Sequence, residues 1–294
     1  MLKPTLAGWK GSRVRELLDR ARTYVTAIMR SYSRHAGSQL SAAISYRVLF
    51  SLVPFAAFLL TILDVVLPST RREQFVTWLF GVFPGTDLEA SIENTLAESS
   101  ATAPLVGLVA LATLLWAASG MMASIRIAFR VIWDRERGPT YVRSKLRDFA
   151  LVGCAGALVV TAFALSVIVR IVVQTGSDLS DALGLSSGAS TAFSAVAEVA
   201  SSIVIVFCAL LALYRYVPPE RMPVRLLWPS ALAAAIGFEV TVYGYAVYAT
   251  RFASFNTIYG PIGAVLAFLL LVYLLAAIVL LGAETAAARP RSAS

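Results

Sequence analysis

Charged residues are scarce in this chain. Only 14% of its 294 residues are Asp, Glu, Lys or Arg, while 58% are hydrophobic; soluble domains carry roughly 25% charged residues. With 25 basic and 17 acidic side chains, a water-facing surface of ordinary size cannot be covered, which excludes a soluble globule. The hydrophobic content likewise excludes a disordered chain. Histidine occurs once, at His35, and cysteine twice, at Cys154 and Cys208. One imidazole cannot build a histidine-based metal cluster. Both cysteines lie inside apolar runs without a CxxC spacing, so neither a zinc framework nor a disulfide-stapled module is expected. P-loop, GxGxxG, GxSxG and HxxEH spacings are missing as well. The chain reads as a non-enzyme, with no catalytic residue, no metal and no cofactor. Nor is a cleavable signal peptide expected: the first forty residues are rich in arginine but lack a short apolar core ahead of a small-residue cleavage site.

What the chain has instead is apolar length. A bilayer-spanning helix needs about 20 mostly apolar residues, and six stretches supply them: Ala42–Leu67, Pro104–Ile125, Phe149–Val173, Ser194–Tyr214, Leu226–Ala249 and Tyr259–Ala283. Each must be helical, because a lone apolar segment in lipid has to satisfy its own backbone hydrogen bonds. The expected fold class is all-α, a polytopic integral membrane protein with six transmembrane helices. Basic residues collect on alternate connections. Lys3, Lys10, Arg13, Arg15, Arg20, Arg22, Arg30 and Arg34 precede the first span; Arg126, Arg130, Arg135, Arg137, Arg143, Lys145 and Arg147 follow the second; Arg215, Arg221 and Arg225 follow the fourth; Arg289 and Arg291 follow the sixth. The other side holds only Arg71, Arg72, Arg170 and Arg251 among a larger set of acids. This asymmetry predicts cytoplasmic N and C termini. It also accounts for the net charge of +8 without any nucleic acid.

The organisation expected is a cytoplasmic basic amphipathic arm over 1–39, a six-helix membrane domain over 40–287 with an external loop at 68–103, and a short cytoplasmic tail over 288–294. In the arm, Val14, Leu17, Leu18, Ala21, Val25, Ile28 and Tyr32 recur at helical spacing, with arginines on the other faces. Such a helix suits the headgroup region of an anionic inner leaflet, with Arg13, Arg15, Arg20, Arg22, Arg30 and Arg34 as its anionic-lipid surface. A solvated helix packed on the connecting loops is the alternative. In the external loop, Thr86 and Glu89 have the spacing of a capping box that opens a short helix.

Charges within the spans are the sharper signal, since each costs roughly 2.5–3.5 kcal/mol at a helix centre on insertion scales. Arg47 stands in the first span, Glu239 near the middle of the fifth and Glu284 at the end of the sixth. Arg47 can reach toward either acid. The three form a candidate polar site, either a substrate pathway or an ion pair joining these spans; snorkelling of Arg47 to the interface is a third reading. Tyr46 and Tyr243 are candidate lining groups, Tyr243 lying one turn from Glu239 and expected on its face. Gly120, Gly237, Gly260 and Gly263 belong to small-residue stretches that predict close helix packing. Pro54 removes a backbone hydrogen bond and predicts a kink in the first span. His35 reads as a headgroup-level side chain.

The run Ala42-Ala43-Ile44-Ser45-Tyr46-Arg47-Val48-Leu49-Phe50-Ser51-Leu52-Val53-Pro54 resembles the opening motif of the YihY/BrkB membrane family. Trp116-Ala117-Ala118-Ser119-Gly120 with Ile132-Trp133, Tyr259-Gly260-Pro261-Ile262-Gly263-Ala264-Val265 and Leu281-Gly282-Ala283-Glu284 extend the likeness across Leu40 to Ala287. The chain departs from the family at Gly260-Pro261-Ile262-Gly263, where glycine-serine-leucine-glycine is typical. The resemblance implies a six-helix inner-membrane protein without an established common substrate. Some relatives carry an old ribonuclease label, others are linked to serum resistance, and one to movement of a lipid A precursor across the inner membrane.

The expected function is an inner-membrane transporter, a flippase or exporter of a lipid or other amphiphilic anion in envelope biogenesis. A small-solute or ion exporter and a non-transporting scaffold for envelope proteins are the alternatives. Expected partners are membrane lipids, with a homodimer or an envelope-protein partner left open, and no nucleic acid. Without a nucleotide-binding motif, transport would be gradient-driven, passive or powered by a partner.

Overall fold

A computed structural model describes residues 7–66, 103–134, 149–150, 153, 187–220, 222–251 and 255–288. All regular structure among them is helical: α1 (Ala7–Arg34), α2 (Gly37–Val66), α3 (Ala103–Ile132), α4 (Ser187–Tyr216), α5 (Val224–Arg251) and α6 (Phe255–Ala287). The chain is an all-α polytopic membrane protein. The expected external loop, all but three residues of the expected third span and most of the tail lie outside the described residues.

Five of the six apolar stretches become α2 to α6, and each of α3 to α6 carries a segment long and apolar enough to cross a membrane: Leu111–Ile132, Val199–Tyr216, Val224–Tyr248 and Val265–Ala287. Large apolar side chains stand outward along them, Leu108, Trp116, Val204 and Val240 among them. In water such a surface would drive aggregation; in hydrocarbon it is the ordinary outer face of a bundle. Pro54 lies within α2, which continues as helix on both sides of it.

Lipid tails are as apolar as leucine, so close approach rather than hydrophobic transfer holds the helices together. The central element is α6. It touches every other described helix, while α2 packs on α3 and α5 packs on α4. Gly282 shows how tight the fit is: a Cβ there would stand 2.2 Å from the Tyr214 hydroxyl and 2.6 Å from Ala234 Cβ. Tyr214 is fully buried and donates its hydroxyl to the Val279 carbonyl of α6 at 2.7 Å.

The best-packed part of the bundle is the end that carries Arg126, Arg130, Arg215 and Arg225, here called the basic end. Phe129 stacks on Trp133 at 5.5 Å and meets Tyr214 at 5.9 Å, with Leu227, Ala231, Leu280 and Ala283 closing the layer. Aromatic pairs of this kind contribute about 0.5–1.5 kcal/mol beyond their area. Arg215 donates to the Met222 carbonyl and ties the turn between α4 and α5. Two residues at this end, Ala36 and Asp134, hold left-handed backbone with φ of 52° and 50°. For a residue with a Cβ that conformation costs about 1–2 kcal/mol, so neighbouring contacts must maintain it.

Candidate membrane-facing groove and polar contacts

Between α2 and α3 lies an open groove of about 620 Å³. Tyr46, Arg47 and Phe50 wall it from α2, and Thr113, Trp116 and Gly120 from α3, with Ala43 and Ala117 between. The spacing explains the wall: Ala43, Tyr46, Arg47 and Phe50 follow the i, i+3, i+4, i+7 repeat that lines up one helix face, as do Thr113, Trp116, Ala117 and Gly120. Arg47 lies across Gly120, whose missing side chain makes room for it; a Cβ at 120 would stand 2.8 Å from Nη1 of Arg47. Tyr46 and Phe50 tilt against each other at 4.6 Å. Thr113 commits its hydroxyl hydrogen to the Val109 carbonyl at 2.9 Å. The side chains left facing the opening are Tyr46 at 59%, Phe50 at 61% and Trp116 at 71% exposure.

Arg47 and Glu239 do not meet. Ion-pair contacts are made instead by His35, with Asp134 and Glu284. Glu239, 9% exposed on α5, accepts a hydrogen bond from Ser202 Oγ of α4 at 2.5 Å. A charge within a span says nothing of azimuth about the helix axis, and α2 and α5 each pack on α6 rather than on each other. Tyr243 also departs from expectation. It is 54% exposed although Glu239, one turn away, is buried. Four residues advance a helix by more than a full turn, and the outer part of α5 has few neighbours to cover the ring.

Glu284 has a different partner from the one expected. It is 2% exposed on α6 and accepts from Nδ1–H of His35 at 2.7 Å. The other ring nitrogen of His35, Nε2, faces Asp134 Oδ1 at 3.7 Å, and the Asp134 side chain is 90% exposed. His35 is therefore a clasp between α6 and the end of α3, set at the elbow between α1 and α2, and not an unattached headgroup-level side chain. Its two nitrogens point to carboxylates on opposite ring edges. Beside it, Tyr32 shares a hydrogen bond with Ser41 at 3.1 Å, and Gly37 is buried where a Cβ would strike the Tyr32 ring. Burial raises the Tyr32 hydroxyl above the ordinary phenol range, while the Ser41 hydrogen bond acts the other way.

A profile of the family described as Virulence factor BrkB matches residues 28–294. The chain belongs to that family. It is 32% identical over 282 residues to a UPF0761 membrane protein of Chromohalobacter salexigens, covering 92% of this chain and 65% of the relative. A putative ribonuclease-like protein, YfkH of Bacillus subtilis, is 27% identical over 265 residues, covering 89% of this chain and 93% of that one. A UPF0761 membrane protein of Aliivibrio salmonicida is 41% identical over 85 residues. The chain thus spans just under two thirds of the Chromohalobacter relative's length. No solved structure matches.

In this BrkB-family chain the remaining candidates fall as follows. Gly237 faces Ile278 of α6, a Cβ there lying 3.2 Å from Cγ2. Gly260 and Gly263 stand near the start of α6. Arg20, Arg22, Arg30 and Arg34 are exposed on α1, beside exposed Tyr24, Val25 and Met29; the side chains of Arg13 and Arg15 lie outside the described residues. Of the apolar stripe read from the arm, Ile28 is buried and Tyr32 half-buried, whereas Val25 is 54% exposed.

Proposed function

We propose that this BrkB-family protein is a carrier of an amphiphilic anion, of the lipid class, in the cytoplasmic membrane. One observation carries the reading: a guanidinium, Arg47, lies in an apolar, aromatic groove, with no acid among the described groove residues to neutralise it. A cation within a span costs up to roughly 2.5–3.5 kcal/mol, the helix-centre value on insertion scales, and an anionic headgroup offsets that cost. The opening between α2 and α3 allows the hydrocarbon part of such a molecule to stay in lipid while its head enters. Exposed arginines on α1 supply a basic surface that attracts anionic headgroups. This reading makes the protein a non-enzyme, and the ribonuclease-like wording of the Bacillus relative stays with that protein.

The test is reconstitution into liposomes with a headgroup-labelled anionic lipid and, separately, with small anionic solutes. Lipid movement that is lost in Arg47→Gln supports the carrier. Movement of solutes alone replaces it with a solute exporter, and movement of neither leaves a scaffold.

A further inference from the structure

We infer that the α2–α3 groove takes a lipid whose headgroup carries one anionic phosphodiester and no ammonium or second phosphate. The inference rests on the carrier reading and adds the substrate's charge. Among the described residues lining the groove, Arg47 is the one charged side chain. Its planar fork matches two non-bridging oxygens of a single phosphodiester, a geometry that a lysine's point charge does not reproduce. Trp116 and Tyr46 add an indole N–H and a phenol O–H at the opening, neutral donors suited to glycerol-type hydroxyls or phosphate oxygens.

A zwitterionic headgroup fits less well. Its ammonium would enter beside the guanidinium with no carboxylate among the described lining residues to receive it, and like charges at this range repel strongly where water is scarce. Aromatic faces can hold an ammonium; Tyr46 and Phe50 are engaged with each other at 4.6 Å, which leaves the exposed Trp116 as the described lining ring an ammonium could use. A headgroup with two phosphates would place the second against apolar walls, with no second cation among the described lining residues. Depth separates this site from an ordinary boundary-lipid contact. Arg47 is five residues inside the apolar stretch that begins at Ala42, about 7.5 Å along α2 at 1.5 Å per residue. That is about a quarter of a hydrocarbon core of roughly 30 Å. A headgroup bound there is drawn more than one helical turn below the headgroup layer.

The full chain, purified and exchanged into phosphatidylcholine nanodiscs, is offered phosphatidylglycerol, phosphatidylethanolamine or a bis-phosphorylated glycolipid, and retained lipid is counted by native mass spectrometry. Phosphatidylglycerol should be retained over the other two. Arg47→Gln should reduce that preference by about tenfold or more, the worth of one charge-assisted hydrogen bond. Arg47→Lys, which keeps the charge and guards against a folding failure, should retain part of it, and Arg225→Gln at the basic end should leave it unchanged. Equal retention of all three lipids, stronger retention of the bis-phosphorylated lipid, or an unchanged preference in Arg47→Gln overturns the inference. Lipid movement in liposomes without headgroup preference removes this substrate class and leaves the carrier; phosphatidylglycerol retention without movement leaves the site and removes the carrier.

Discussion

Ser202 is small, and it donates to one of the deepest carboxyl groups in the bundle. Its hydroxyl is the described donor to Glu239 across the α4–α5 contact, and an unsatisfied buried acceptor costs about 1–3 kcal/mol. Ser202→Ala should therefore lower thermal stability in detergent by that amount, whereas Glu239→Gln, which keeps a carbonyl acceptor, should cost clearly less. Because Arg47 and Glu239 share no contact, Arg47→Gln and Glu239→Gln should add to within about 0.5 kcal/mol; a larger coupling in the double-variant cycle would contradict the geometry. The sequence showed that Arg47, Glu239 and Glu284 needed partners and left the choice of partner open. Charge in an apolar run is visible in one dimension, but rotation about the helix axis and tilt between helices are not. Gly120 was legible as a small residue for close packing, and only the fold shows that what it accommodates is the Arg47 guanidinium.

Helix junctions carry strain as well as direction. The elbow between α1 and α2 turns at Ala36, and α3 ends at Asp134, both in left-handed backbone, with His35 clasped between the two places and Glu284. His35→Ala should destabilise the protein by about 1–3 kcal/mol by leaving the buried Glu284 carboxylate without its donor, and should expose α1 to protease. Adding Glu284→Gln should restore part of that loss. Asp134→Asn should change stability by no more than about 0.5 kcal/mol, since its carboxylate is solvated and the contact is long. Thermal unfolding of the three variants, with limited proteolysis, separates these outcomes. At this scale five of the six apolar stretches were read well: α3 to α6 each contain one, α2 covers all but the last residue of another, and each helix runs past its stretch on at least one side, while nearly all of Phe149–Val173 lies outside the described residues. The excess has a plain cause, for the i to i−4 ladder does not stop where hydrocarbon does. The clasp was not read, because a lone histidine in a basic arm gives no local sign of a carboxylate near the other end of the chain.

Across the whole molecule, the basic residues and the contacts agree on which ends lie together. The start of α2 and the end of α6 meet at one end of the bundle through His35 and Glu284. Reporter fusions after Ser38 and after Arg289 should report the same, cytoplasmic side, and one near Glu93 the opposite side. A cytoplasmic signal at Glu93 would break the alternation that the charge asymmetry predicts. Family membership was legible from short motifs in the first, second and last spans, while the groove depended on how α2 and α3 face each other.

The two partners of the clasp are 249 residues apart in the chain. Synthesis proceeds from the N-terminus, so α1 and its elbow are made before α2 to α6 and wait while those helices are made and inserted. Until α6 arrives, His35 has no buried acid to hold. The closing contact is thus a record of completion: a polypeptide truncated before Glu284, or one whose last helix fails to enter the bilayer, leaves its N-terminal arm unfastened and open to quality-control proteases at the membrane surface.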